Sequence, residues 1–156
     1  MKERFKTPSA VFLLLMRNNN GIEEILMQKR KNTGYCDGYY DLCVGGHVES
    51  FESMKQTMCR EAKEEIGITI LPEDLEFVCL IHKNCGDVMY YNGYFRAIKW
   101  TGEPEIKEPN KNDELKWFPI DNLPSNLIDD RNVAIYNYFN EIKYTEYGWN
   151  GERIDH

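Results

Sequence analysis

Residues 53–67, "SMKQTMCREAKEEIG", define one element of this chain more tightly than any other stretch. Ser53 followed by Gln56 has the spacing of a capping box, in which each side chain satisfies the other residue's free backbone N–H. Met54, Met58 and Ala62 then recur on one stripe, as an amphipathic helix requires. Gly67 supplies the left-handed residue that commonly ends a helix. The spacing predicts a helix to about Ile66.

On that helix Glu61, Glu64 and Glu65 stand three and four residues apart, so their carboxylates share a face away from the apolar stripe. Like charges crowded in this way raise one another's pKa unless a cation neutralises them. A hard divalent ion such as Mg²⁺ prefers oxygen ligands and keeps waters and substrate phosphates in its shell. Carboxylates on a rigid helix therefore suit a metal ion held against a diphosphate. Glutamates on a helix are ordinarily a solvated face, so their number alone does not mark a metal site.

Elsewhere, strand character marks residues 10–16, 24–29, 75–81, 88–100 and 115–118, rich in β-branched, aromatic and aliphatic side chains. Asn19-Asn20-Gly21 reads as a hairpin turn between the first two. Asn92-Gly93 interrupts the long aromatic stretch, which predicts two strands or one bulged strand. A second helix is expected from about 130 to 142, with Val133, Tyr136, Phe139 and Ile142 as its apolar face. Strands with two separated helices point to an α/β fold, a mixed β-sheet between helical layers. A chain of 156 residues suits one domain, 1–156. The tail "KYTEYGWNGERIDH" carries no readable pattern.

The net charge of −7 argues against a surface that binds nucleic acid by general electrostatics. An anionic small molecule is compatible with it where a bound metal supplies positive charge. The apolar run at 10–16 is followed by Arg17 and three asparagines instead of the small-residue cleavage site of a signal peptide. Nothing approaches membrane-spanning length, so no membrane partner is expected. Five cysteines, with no CxxC pair, fit reduced thiols and a cytoplasmic location.

The glutamates belong to a longer pattern: Gly46, five residues, Glu52, seven residues, then Arg60-Glu61-Ala62-Lys63-Glu64-Glu65-Ile66-Gly67-Ile68. Glu52 and Arg60 bracket the helix start, where a pair between them would fix the entering loop. This pattern resembles the Nudix box, G-x5-E-x7-R-E-U-x-E-E-x-G-U with U apolar, and every fixed position matches. The resemblance implies an α/β/α sandwich in which the box (46–68) forms a loop–helix–loop. It implies Mg²⁺ or Mn²⁺ held by Glu61, Glu64 and Glu65, one of them a general base, with the backbone carbonyl of Gly45 as a further ligand. Glu114, three residues before Trp117, lies where some members place another metal-binding or base glutamate.

The reaction implied is attack of water on a diphosphate linkage, converting a nucleoside triphosphate to a monophosphate and pyrophosphate. The likeness extends over about 8–142. This chain departs from many relatives at Tyr40, at Cys43-Val44-Gly45-Gly46 and at Phe51, none a fixed box position. The post-box signatures of NADH diphosphatases, ADP-ribose pyrophosphatases and diadenosine polyphosphate hydrolases are missing, as is the upstream coenzyme A pattern. A small MutT-like nucleotide pyrophosphatase, with a modified or oxidised nucleotide as a possible substrate, remains the expectation. A nucleotide sugar pyrophosphatase and a non-catalytic ligand sensor are the alternatives. Aromatic and acidic groups suited to a nucleobase are Tyr90, Tyr91, Tyr94, Asp129 and Asp130. Lys29 and Arg30 are placed to meet phosphates, and His47 sits beside the box entrance. Neither a dimer nor a monomer is indicated.

Overall fold

The computed structural model describes residues 2–150. Strands β1 (Ser9–Leu14), β2 (Met16–Asn19), β3 (Ile22–Arg30), β4 (Tyr40–Leu42) and β5 (Gly45–His47) precede helix α1 (Met54–Ile66). Then come β6 (Leu75–Asn84), β7 (Met89–Ala97), β8 (Asn112–Pro119), helix α2 (Asp129–Asn140) and β9 (Tyr144–Tyr147). A five-stranded sheet has the order β5-β1-β7-β6-β9. It is mixed: β1 runs parallel to β7 and β6 to β9, while β5 and β1, and β7 and β6, are antiparallel. A second, antiparallel sheet is built on β3, with β2 and β4 along one edge and β8 along the other.

Burial on β1 alternates between two cores. Ala10, Phe12 and Leu14 join Ala134 and Ile135 of α2 on one face. Val11 and Leu13 join Met58, Ala62 and Ile66 of α1 on the other. The two helices thus cover opposite faces of the mixed sheet, which is the expected sandwich. The chain changes sheets at Leu15, fully buried between β1 and β2, whose carbonyl accepts from the Leu26 N–H at 2.9 Å. No helix among the described residues is long and apolar enough to cross a membrane.

The local expectations fare unevenly. Asn20 and Gly21 both take positive φ, 52° and 87°, as the primed turn of the β2–β3 hairpin demands. β7 runs unbroken through Asn92-Gly93, and the register shift lies in β6, between Phe77 and Cys79. Gly93 marks a close approach instead of a break: a Cβ there would lie 2.7 Å from Met54 Sδ of α1. Strands β4, β5 and β9 had no sequence signal, being only three or four residues long.

The expected face of α2 needs correction. Tyr136, Phe139 and Ile142 are exposed, and the buried face carries Asp130, Arg131, Ala134, Ile135 and Asn137. Arg131 Nε donates to Asp41 Oδ1 at 2.8 Å, and its NH1 to Asp130 Oδ2 at 2.6 Å. Lys83 Nζ reaches Asp130 Oδ1 at 3.0 Å. The Arg131 guanidinium also lies 3.7 Å from the centroid of Phe12. Mutual pairing lets charged residues occupy the core, and an apolar stripe is left outside.

Removing Arg131 takes one hydrogen-bonded cation from each of two buried carboxylates, leaving Asp41 to Arg30 and Asp130 to Lys83. Arg131→Leu is therefore expected to cost about 3–5 kcal/mol of stability, whereas Tyr136→Ser on the outer face changes it by less than about 0.5 kcal/mol. Urea unfolding midpoints of the two variants test which face of α2 is structural.

Candidate active site

The sequence 45–67 folds into an edge strand, a turn and a helix. Gln56 N–H donates to Ser53 Oγ at 3.1 Å, and Ser53 N–H to Gln56 Oε1 at 2.8 Å, so the capping box is complete. α1 ends at Gly67 in the left-handed conformation, φ 75°. Its last carbonyls are met by the following loop: Glu105 N–H donates to the Ile66 carbonyl and Lys107 N–H to that of Glu65, each at 3.0 Å. Those bonds bring residues 105–108 against the C-terminal end of the glutamate helix.

Arg60 organises the acids. Its Nε donates to Glu52 Oε2 at 2.7 Å, and its NH1 to Glu61 Oε1 at 2.8 Å and Glu64 Oε2 at 3.3 Å. Glu52 Oε1 additionally accepts from the buried Thr57 hydroxyl at 2.7 Å and from Glu49 N–H at 3.2 Å. Hydrogen bonds from Arg60 and then Thr57 hold the Glu52 carboxyl down at about 2. The expected Glu52–Arg60 pair is present, and it ties the turn to the helix.

Glu65 lies in a different setting. Gly45 N–H donates to its Oε2 at 3.1 Å. Burial pushes its carboxyl up to about 9, the Gly45 bond opposes this, and the charges of Glu61, Glu108 and Asp41 add to the rise. Glu61 is also raised, first by burial, with Arg60 pulling against it. Gly46 packs so closely on Glu61 that a Cβ would lie 2.4 Å from its Cδ. Among the described residues, no three acidic, His or Cys side chains converge as a finished metal cluster. Arg60 draws Glu61 and Glu64 to itself, while Glu65 turns to Gly45.

A cleft of about 730 Å³ opens beside these acids. Gly45, Gly46, His47, Glu65 and Glu108 line one end. Arg30, Tyr35, Asp41, Lys83, Asn92 and Arg131 line the other parts. The segment between β3 and β4 is fastened over it. Arg30 Nε donates to the Tyr35 carbonyl at 2.8 Å, Arg30 NH1 to Asp41 Oδ2 at 3.1 Å, and Lys83 Nζ to the Tyr35 hydroxyl at 3.1 Å. Burial, the leading cause, raises the Tyr35 phenol to about 12.

The structure sorts the sequence candidates. Arg30 and His47 line the cleft, and His47 Nε2 lies 2.9 Å from the Tyr90 hydroxyl. Tyr91 points to the opposite face of β7 and stacks on His82 at 4.4 Å. Strand alternation makes Tyr90, not Tyr91, the cleft tyrosine. Tyr94 is buried, its hydroxyl 3.4 Å from Asp130 Oδ2. Asp129 accepts from the Tyr147 hydroxyl at 2.6 Å and does not line the cleft, while Asp130 belongs to the buried ion group. Lys29 lies 5.9 Å over the Tyr40 ring. Glu114 sits opposite Lys29 on β8, accepts from the Tyr40 hydroxyl at 3.0 Å and does not line the cleft. Glu108 lines the cleft, and its charge acts on both Glu61 and Glu65. No spacing in "EPEIKEPNKNDE" singles it out.

Comparison with known proteins agrees with this geometry. Residues 6–139 match the NUDIX domain family, and the chain belongs to that family. It is similar to the NAD-capped RNA hydrolase NudC of Stutzerimonas stutzeri (strain A1501), 27% identical over 103 residues. That match covers 66% of this chain and 34% of the relative, so the chain spans about a third of that protein's length. In structure it resembles a MutT NUDIX hydrolase from Burkholderia pseudomallei, with a TM-score of 0.74 and 26% identity, covering 85% of this chain and 98% of that one. The NUDIX domain of Shewanella oneidensis NrtR, complexed with ADP ribose, shares the fold with a TM-score of 0.71 and 18% identity, covering 90% and 91% of the two chains.

Glu65 generates a prediction for pH. Its folded pKa of about 9 lies above the ordinary 4.5. Within that window the folded chain holds a proton that the unfolded chain has released, so its contribution to stability falls as pH rises. Without divalent ions, the urea midpoint of the wild type should decline more steeply from pH 5 to pH 9 than that of Glu65→Gln. Parallel curves would remove the case for a proton-holding Glu65.

Proposed function

We propose that this Nudix hydrolase cleaves a diphosphate linkage in a nucleoside triphosphate or related nucleotide, oxidised forms included, with Mg²⁺ or Mn²⁺ as cofactor. The observation that carries the reading is Gly45-Gly46 laid against Glu61 and Glu65 at the end of a nucleotide-sized cleft. Glu61, Glu65 and Glu108 are hard oxygen donors, the set that a Mg²⁺ or Mn²⁺ ion prefers. Gly46 fits the same purpose, since any side chain there would displace Glu61. Glu61, Glu64 and Glu65, with the Gly45 backbone and Glu108, are the groups that would hold the ion. Bound there, it supplies the positive charge that brings a polyphosphate up to a carboxylate-rich helix.

The chain's own residues do the rest. Glu52 holds Arg60, and Arg60 orients Glu61 and Glu64 through direct hydrogen bonds. A carboxylate held in this way can accept the proton of the attacking water, and Glu61 and Glu64 are the candidates for that base. Arg30 and Lys111 line the cleft as cations for the phosphates, and His47 with Tyr90 offers donors at its rim. The net charge of −7 supports a small-molecule substrate over an RNA, although the NudC relative is named for RNA. Free thiols at Cys43, Cys59, Cys79 and Cys85 suit a cytoplasmic location.

The test is a turnover screen with Mg²⁺ over normal and oxidised nucleoside triphosphates, nucleotide sugars and dinucleotides, read by product analysis. Nucleoside monophosphate and pyrophosphate are the expected products. Glu64→Gln and Glu65→Gln should each lower kcat by roughly 10²–10⁴-fold. Undiminished turnover in both variants sinks the catalytic assignment, and nucleotide binding without turnover by the wild type favours a ligand sensor.

A further inference from the structure

The exposed stripe of α2 leads into a second depression of the surface. At the C-terminal end of the helix, a groove of about 500 Å³ lies between α2, β6 and the start of β3. Phe77, Tyr138 and Phe139 supply its rings, with Phe77 40% and Phe139 45% exposed. The register of β6 shifts here, between Phe77 and Cys79, and such bulges re-aim strand side chains. No residue lining this groove also lines the cleft.

Glu23, Glu76 and Glu141 rim the groove. α2 carries no basic residue in its last turn, so the negative end of its dipole adds to their field. The cations nearby are turned to the rings. Lys143 Nζ lies 6.0 Å from the Phe77 centroid, and the Arg96 guanidinium 5.5 Å from that of Tyr138. Among the described residues, neither makes an ion pair with a groove glutamate. Aromatic faces between carboxylates at a helix C-terminus suit a cationic segment with an apolar anchor.

Residues 2–6 have that chemistry. Lys2, Arg4 and Lys6 stand there with Glu3 as the single acid, in a chain of net charge −7. Lys6 lies 3.6 Å from Glu3, and the whole stretch is exposed, with Phe5 at 77%. Its root is fixed: the Thr7 hydroxyl donates to the Met89 carbonyl at 2.7 Å, and Tyr91 N–H to that of Pro8 at 3.2 Å.

Phe5 falls short of the groove in its own molecule. Pro8 lies beside Tyr91, whereas Glu76 pairs with Arg96 further along β7. That run, with the two strand spacings from β1 to β6, separates Glu76 from Pro8 by roughly 19 Å. The extended chain from Pro8 back to Phe5 spans at most roughly 11 Å.

We propose that residues 2–6 of one copy dock in the α2–β6 groove of a second copy, with Phe5 among the rings and Arg4 and Lys6 against the glutamates. Each copy has one such segment and one such groove, so exchange across a two-fold axis closes the assembly at a dimer. The groove is separate from the cleft, and this contact is independent of what the cleft cleaves.

Sedimentation velocity on the full chain, from micromolar to millimolar concentration, tests it. The wild type should pass from monomer to dimer, and added salt should weaken the dimer. Phe5→Ser should lower the association constant by roughly tenfold or more. Glu76→Lys with Glu141→Lys should do the same, and adding Arg4→Glu and Lys6→Glu to that variant should restore association. All these positions are exposed, so urea midpoints close to that of the wild type show that the fold is kept. A wild type that stays monomeric throughout, whatever other basic partner the groove accepts, overturns the docking. So does a dimer that survives Phe5→Ser, or one that the exchanged charges do not rescue.

Discussion

The ion pair between Arg131 and Asp41 holds the molecule's two halves in register. Arg131 comes from α2, which packs on the mixed sheet, and Asp41 from β4 of the antiparallel sheet. Neither group is left as an isolated charge. Arg30 and the Leu42 N–H also donate to Asp41, and Asp130 and the Tyr94 hydroxyl complete the surroundings of Arg131. Burial alone makes such charges costly, and full hydrogen bonding is what makes them tolerable. The cleft lies between the two halves, so the same ions that join the sheets also form its inner wall.

The glutamate helix meets a different electrostatic problem at its own surface. Arg60 distributes one guanidinium among Glu52, Glu61 and Glu64. Glu65 lies beyond its reach and is held by a single backbone N–H, which is why burial dominates its titration. Two carboxylates four residues apart on one helix therefore have unlike environments. That difference suits a site in which one acid is preoriented by a cation and another becomes fully charged only when a further cation arrives.

Much of the fold was legible because its signals are local. The capping box, Gly67 and the Asn20-Gly21 turn each depend on residues a few positions apart. The box spacing, likewise, was readable without knowing what packs where. The misread features depend on distant partners. α2 was assigned the wrong inner face because apolar periodicity gives no account of Arg131 and Asp130, whose burial is made possible by Asp41 and Lys83 far away in the chain. Tyr90 and Tyr91 are alike in sequence, and only strand alternation separates cleft from outer face. Glu108 had no sequence signal, because its place at the cleft follows from backbone bonds between the 105–107 segment and the end of α1. Asn92-Gly93 was read as an interruption of the aromatic stretch, since the close approach of Met54 to Gly93 has no sequence signature.

The change of sheets at Leu15 bears on how the cleft handles its ligand. Floor residues on β1 and wall residues on β3 belong to one continuous ribbon, turned once at a fully buried leucine and doubled back at the Asn20-Gly21 hairpin. The opposite side is clamped by Arg131 and Asp41. A jaw fastened at both ends has a fixed gape. Widening it would mean breaking either that buried ion pair or the packing around Leu15.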